Sequence, residues 1–275
     1  MTLKNSDSLI EFLEKNASPR DVLRLHSAMG DDSAKVELFN QYRELQLPSG
    51  AFSFRFWKGN PPSLMHSYRA YHLLKELEDV KLTHESIIKL ELFLENSQRT
   101  NGSWIEDNRL LEIPDLPPWM NPKNKNTEIL TTAYCCTIMI IEDPSSMVTQ
   151  KALKYLNEYR NYDGSFMGFP HTTWIAGAAF LGYYGTFNVT GREMISVIDD
   201  LLDQSHPGSI IQWITSSLLL FGFKPQTLPV LSRALDLLEK SQQSDGFWSS
   251  EDEGRQIETT VDCLITLHKA QRINW

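Results

Sequence analysis

Residues 234–248 read ALDLLEKSQQSDGFW: leucines at helical spacing, then Gln242, then Asp245-Gly246, then Phe247 and Trp248. The same order recurs upstream. Residues 89–104 read KLELFLENSQRTNGSW, with Gln98, Asn101-Gly102 and Trp104; residues 151–166 read KALKYLNEYRNYDGSF, with Asp163-Gly164 and Phe166; residues 45–52 read LQLPSGAF, with Gln46, Gly50 and Phe52. A weaker copy, DQSHPGSI, carries Gln204 and Gly208. An internal repeat of this kind decides the architecture before any single residue does. Asp-Gly or Asn-Gly after an apolar helical run is a stop signal, because glycine takes the left-handed conformation without a side-chain clash. The aromatic then tucks back against the helix just left. The glutamine bonds backbone freed at that helix end and ties neighbouring units together.

Outward from these turns, helical periodicity dominates and strand signals are sparse. Helices beginning near residues 6, 31, 83, 145, 190 and 226 carry charged faces; those near 19, 63, 127, 171, 209 and 257 are shorter or more apolar. Thr190 with Glu193 reads as a capping box for one of them. A helix apolar all round is buried. Six charged and six buried helices in strict alternation predict an all-α fold, an α/α toroid of six hairpins in which inner and outer helices make a double ring. The chain is read as one domain over 1–275, with the motifs in 40–272. The one long connection, 105–126, holds four prolines, Trp119 and Met120. It reads as a lid or rim over the central cavity, or as a solvated insertion.

The Gln-x-x-Asp/Asn-Gly-x-aromatic units resemble the QW repeats of squalene and oxidosqualene cyclases. They also resemble the repeats of protein prenyltransferase β subunits. The resemblance implies the toroid fold and an apolar isoprenoid substrate.

Composition excludes several other classes. The 275 residues carry a formal charge of −9, which argues against nucleic acid, whose binding needs clustered Lys and Arg. No run of 18 apolar residues exists, so no segment is expected to span a membrane, although peripheral membrane contact stays open. The N-terminal residues lack the apolar core of a signal peptide, and three cysteines, two of them adjacent, read as reduced thiols in a cytoplasmic protein. The sequence names no protein partner.

In a toroid the inner helices begin at the cavity mouth, where their dipoles favour an anion such as a diphosphate. That places His66 and Arg69, Thr131 and Thr132, Trp174, Trp213 and the loop's Trp119 as substrate-binding candidates. Trp174 and Trp213 either line the cavity, where their π faces attract a carbocation, or pack between the rings. The catalytic candidates are Glu258, Asp262, Glu128 and His171. Glu258 and Asp262 are four apart on one helix face. Either both meet an apolar cavity, where desolvation and repulsion make one a proton donor, or Asp262 accepts hydrogen bonds from a neighbouring helix. His171 either bonds backbone at its helix start or acts as a ligand or base.

The resemblance sharpens and limits these readings. Cyclases of this type protonate a polyene with the middle acid of Asp-x-Asp-Asp-Thr-Ala; here Glu128-Ile129-Leu130-Thr131-Thr132-Ala133 keeps only a first acid and the Thr-Ala ending. Prenyltransferase β subunits hold zinc with Asp-x-Cys and a later His; here Glu258 falls at the His position and the Asp-x-Cys is absent. No cofactor is expected, because the ligand pattern calls for neither zinc nor magnesium. The leading expectation is a cyclase-like enzyme with a substituted acid, acting on a prenyl chain or its diphosphate. A non-catalytic toroid binding a lipid or protein, and a prenyltransferase-like protein without its zinc triad, are the alternatives.

Overall fold

The computed structural model describes residues 6–77 and 83–274. Among them run twelve α-helices: α1 (Ser6–Asn16), α2 (Pro19–Ala28), α3 (Asp32–Leu45), α4 (Leu64–Glu76), α5 (Thr83–Ser97), α6 (Lys125–Glu142), α7 (Met147–Glu158), α8 (Pro170–Tyr184), α9 (Val189–Leu202), α10 (Gly208–Leu220), α11 (Pro229–Lys240) and α12 (Gln256–Lys269). Every helix expected from periodicity is present. One feature was not expected: a two-residue hairpin in which β1 (Phe52–Ser53) pairs antiparallel with β2 (Pro62–Ser63).

The chain divides into two compact units, Phe39–Val197 and Met1–Leu38 with Ile198–Trp275. In the first, α6 is the hub, packing against α4, α5, α7 and α8. In the second, α12 holds that place, packing against α1, α2, α10 and α11. The even-numbered helices supply the interior: α8 is buried at every position from Thr172 to Leu181. The odd-numbered helices bury one stripe, as α11 does with Val230, Leu231, Ala234, Leu235 and Leu238. Each such buried leucine or valine contributes about 1.5–3 kcal/mol.

The turn motif works as a three-way tie. Gln98 Nε2 donates to Gly102 O at 3.1 Å and to Val148 O, in the first turn of the next odd helix, at 2.8 Å. Gln46 does the same to Gly50 O at 2.9 Å and Ser86 O at 2.8 Å. The indole of Trp104 donates back to Leu94 O at 2.8 Å, and that of Trp248 to Leu238 O at 2.7 Å. The aromatic's own N–H then meets a hydroxyl of the next even helix: Phe52 to Ser67, Trp104 to Thr132, Phe166 to Thr173 and Trp248 to Thr260, at 2.9–3.2 Å. Glycine is required twice over at residue 102, where φ is +91° and an added Cβ would stand 2.4 Å from Lys151 O.

Two local expectations are corrected. Gly208 is not a turn glycine. It lies outside the positive-φ glycines and begins α10, where an added Cβ would stand 2.8 Å from the Trp248 ring. Its small size serves close packing, so DQSHPGSI is not a copy of the motif. Nor does Thr190 cap α9: Asn188 Oδ1 accepts the Thr190 N–H at 2.9 Å, and Glu193 pairs instead with Arg160 at 2.7 Å.

Candidate functional site

Each sequence-named acid has a basic partner. Asp262, on α12, pairs with Arg24 of α2 at 2.7 Å; Arg24 is only 6% exposed and lies 3.4 Å from Asp21 as well. Glu258, one turn earlier, receives both Nε and Nη2 of Arg255, at 2.8 and 2.7 Å. The two carboxylates share a face, yet each is drawn to a different guanidinium. In the other unit, Glu128 sits in the first turn of α6 between Arg99 and Lys125, each at 3.2 Å. Burial pushes its pKa up, but hydrogen bonds from Ser103, Tyr155 and Lys125 together outweigh that and hold it below the ordinary value. Lys125 in turn donates to Tyr155 Oη at 2.7 Å and lies over the rings of Tyr155 and Tyr159. This environment favours an ionised Glu128, the opposite of a proton donor.

The remaining candidates divide between packing and partial exposure. Thr132 accepts from Trp104 N and donates to Glu128 O at 2.7 Å, so its hydroxyl belongs to the turn. Thr131 is fully buried, and its hydroxyl makes no hydrogen bond among the described residues. Trp174 is core, and His171 lies against it with ring centroids 4.7 Å apart. Trp213 is half-buried, and its carbonyl accepts from Ser216 and Ser217. Arg69 is half-buried on α4. Trp119 is 50% exposed, while its neighbour Met120 is buried with Leu110 against Phe54. Segment 105–126 is therefore packed down onto Phe54 and Met65, with Ile113 and Leu116 at the edge of the same cluster.

That segment brings in an acid that sequence reading missed. Glu106 is 1% exposed and sits on the N-terminus of α4. Its Oε1 accepts from Met65 N at 2.9 Å and Ser63 Oγ at 3.1 Å, and its Oε2 from Leu64 N at 2.9 Å. Burial raises its pKa to about 7, against the lowering effect of those three donors. Ser63, the N-cap of α4, is also 3.0 Å from His66 Nδ1. The His66 ring stands edge-on between Phe54 and Phe56, at 5.0 and 5.4 Å. On the next turn Tyr68 lies against His72 at 4.6 Å and against Tyr134 of α6 at 4.4 Å. The available signal was positional: Glu106 falls two residues after the motif's Trp104, where the chain passes the start of the preceding even helix.

At the starts of α4, α6 and α10 the chain itself supplies the acceptor, whereas α8 and α12 begin without a side-chain cap. Glu106 takes the α4 amides, Asn124 accepts from Asn126 N at the start of α6, and Ser249 Oγ accepts from Gly208 N at the start of α10. Among the described residues no three His, Cys, Asp or Glu side chains cluster closely enough to hold a metal ion. The donor set does not fit the zinc site of the prenyltransferases either, since Glu258 is engaged by Arg255 and His171 packs on Trp174. No helix among the described residues is long and apolar enough to cross a membrane.

A model of the prenyltransferase α/α-toroid domain matches residues 20–217. The chain belongs to that family. Its alternating helices are those of an α/α toroid. No curated protein matches this toroid by sequence. Among solved structures it is similar to the type II terpene cyclase MstE from Scytonema, with a TM-score of 0.60, 12% identity and coverage of 97% of both chains. A variant of MstE in complex with its substrate, geranylgeranyl dihydroxybenzoate, gives 0.59 at 13% identity, covering 97% of this chain and 96% of that one. A second variant, with the product merosterolic acid A, gives 0.58 at 13%, with the same coverage. At these identities the likeness speaks for the fold alone.

Proposed function

We propose that this toroid is a cyclase-like enzyme that holds an isoprenoid chain and acts on it by proton transfer, with Glu106 in place of the acid its motif lacks. The carrying observation is the fully buried Glu106 carboxyl, held by Ser63 Oγ and the Leu64 and Met65 amides with burial raising its pKa to about 7. An acid of that strength gives and takes protons near neutral pH. It is too weak to protonate an isolated alkene, so the reading favours a prenyl chain carrying an activated group. The aromatic cluster of Tyr68, edge-on to His72 and tilted against Tyr134, supplies π electrons for a developing cation. With the starts of α4, α6 and α10 satisfied internally, a prenylated small molecule fits those ends better than a prenyl diphosphate. The substrate of MstE, geranylgeranyl dihydroxybenzoate, is of that class.

The binding-only alternative draws on a different observation: Glu128, Glu258 and Asp262 are each engaged by Arg or Lys. One experiment separates the two. Purified protein is incubated with geranylgeranyl dihydroxybenzoate, farnesyl and geranylgeranyl diphosphates and squalene, followed by extraction and mass analysis. A cyclised isomer that is lost in Glu106→Gln and kept in Asp262→Asn/Glu258→Gln supports the enzyme. Ligand binding without any product favours the binding toroid.

A further inference from the structure

Ser63 sits between two titratable groups. Its Oγ is 3.1 Å from Glu106 Oε1 and 3.0 Å from His66 Nδ1, and it accepts the His66 N–H at 3.3 Å. A hydroxyl has one proton, so it donates to only one of these partners at a time. We propose that Ser63 relays a proton between the buried Glu106 carboxyl and the half-buried His66 ring, so that the state of the carboxyl decides which His66 nitrogen is protonated.

The two arrangements follow from donor counting. With Glu106 ionised, Ser63 donates to Oε1, His66 Nδ1–H donates to Ser63, and Nε2 holds the lone pair. With Glu106 protonated, its O–H donates to Ser63, Ser63 donates to Nδ1, and Nε2 carries the ring proton. Passing from the first to the second takes one proton from outside. The Nε2–H bond forms, the Nδ1 proton moves to Ser63 Oγ, and the Ser63 proton moves to Oε1. Each transfer breaks one bond and makes one, and the chain gains a single proton.

The surroundings hold both ends still. Leu64 and Met65 amides pin the carboxyl at 2.9 Å, and Phe54 and Phe56 edges flank the ring. The other titratable neighbours are Asp107 on the same segment and Tyr134 and Cys135 on α6, with Arg69 one turn beyond His66 and Arg55 over the Phe54 ring. Asp107 acts against ionisation of Glu106. Glu106 remains the acid of the proposed function in this scheme, and Ser63 is the positioning residue that links it to His66. The catalytic meaning of the relay rests on the proposed function, but the tautomer is measured without turnover.

The test is histidine ring 15N NMR across pH 5–9, the His66 signals being assigned by their loss in His66→Gln, alongside the Glu106 carboxyl 13C shift. The relay predicts an Nδ1-protonated His66 at high pH. It predicts growth of the Nε2-protonated form with the same midpoint as the carboxyl. In Ser63→Ala the two midpoints separate and the tautomer no longer changes; Ser63→Thr restores the link. Ser63→Gly, which retains a favoured N-cap residue, serves if the alanine variant does not fold. A His66 that keeps one tautomer throughout, or one that switches unchanged in Ser63→Ala or Ser63→Gly, overturns the relay. Loss of turnover with the switch intact counts against the proposed function and not against the relay.

Discussion

Gly102→Ala and Gly59→Ala form a matched pair that measures the tie between successive helices. Both glycines lie in the Phe39–Val197 unit, with φ of +91° and +89°. The backbone strain of an alanine is therefore nearly the same in both, about 1–2 kcal/mol. Each substitution recovers about 0.4–1 kcal/mol by restricting the unfolded chain. A Cβ at residue 59 has nothing within 4 Å, whereas one at residue 102 would stand 2.4 Å from Lys151 O and 2.7 Å from Lys151 C. That obstacle is helix backbone, held by Gln98 through Val148 O, so it cannot yield as a side-chain tip would. Forced overpacking of this kind costs about 1–3 kcal/mol. Gly59→Ala is expected to destabilise by about 1 kcal/mol or less, and Gly102→Ala by about 2–4 kcal/mol. Urea unfolding followed by far-ultraviolet circular dichroism reads both. Equal losses at the two positions would refute the close approach of the Gly102 turn to α7.

Gln98→Ala removes donors to Gly102 O and Val148 O and is expected to cost about 1–3 kcal/mol, with faster amide exchange in the first turn of α7. Asp262→Asn takes the nearer of two carboxylates from buried Arg24, leaving Asp21 at 3.4 Å, and is expected to lower stability by about 1–3 kcal/mol; a change within error in urea unfolding would return Asp262 to the catalytic candidates. For Glu106 the folded pKa of about 7 lies above the ordinary glutamate value of 4.5, so the folded protein binds this proton more tightly than the unfolded chain. Stability from this group is therefore full below 4.5 and falls as pH rises toward 7, by up to about 3 kcal/mol. Glu106→Gln should flatten the stability profile over that window, and an unchanged slope in denaturation at pH 4.5, 6 and 7.5 would contradict the raised value.

Much of the architecture was legible because its determinants are local. Apolar spacing and Asp-Gly or Asn-Gly stops depend on a few adjacent residues, so all twelve helices and the Gln46, Gln98 and Gln242 turns could be read directly. Where local logic misled, another contact competed for the same residue. DQSHPGSI has the letters of a turn, but Gly208 is small because Trp248 packs on it. Thr190 lost its cap position to Asn188, and Glu193 found Arg160.

The candidate site was legible only in part, because an acid's chemistry depends on partners that sequence spacing does not reveal. Glu258 and Asp262 do share a helix face, as i, i+4 spacing requires; Arg255, three residues before Glu258, was within reach of the same spacing rule, but Arg24 comes from the other end of the chain. Glu106 reads in sequence as one more polar loop residue. The packing of Leu110 and Met120 on Phe54 carries its segment over the start of α4, where water is excluded and the carboxyl meets the amides of Leu64 and Met65. The sequence by itself determined the helices, their alternation and their turns, because hydrogen bonds within about four residues decide those. The tertiary structure alone decided the pairing of Asp262 with Arg24 and of Glu128 with Arg99, and the burial of Glu106 on the Leu64 and Met65 amides, because these contacts join residues distant in the chain.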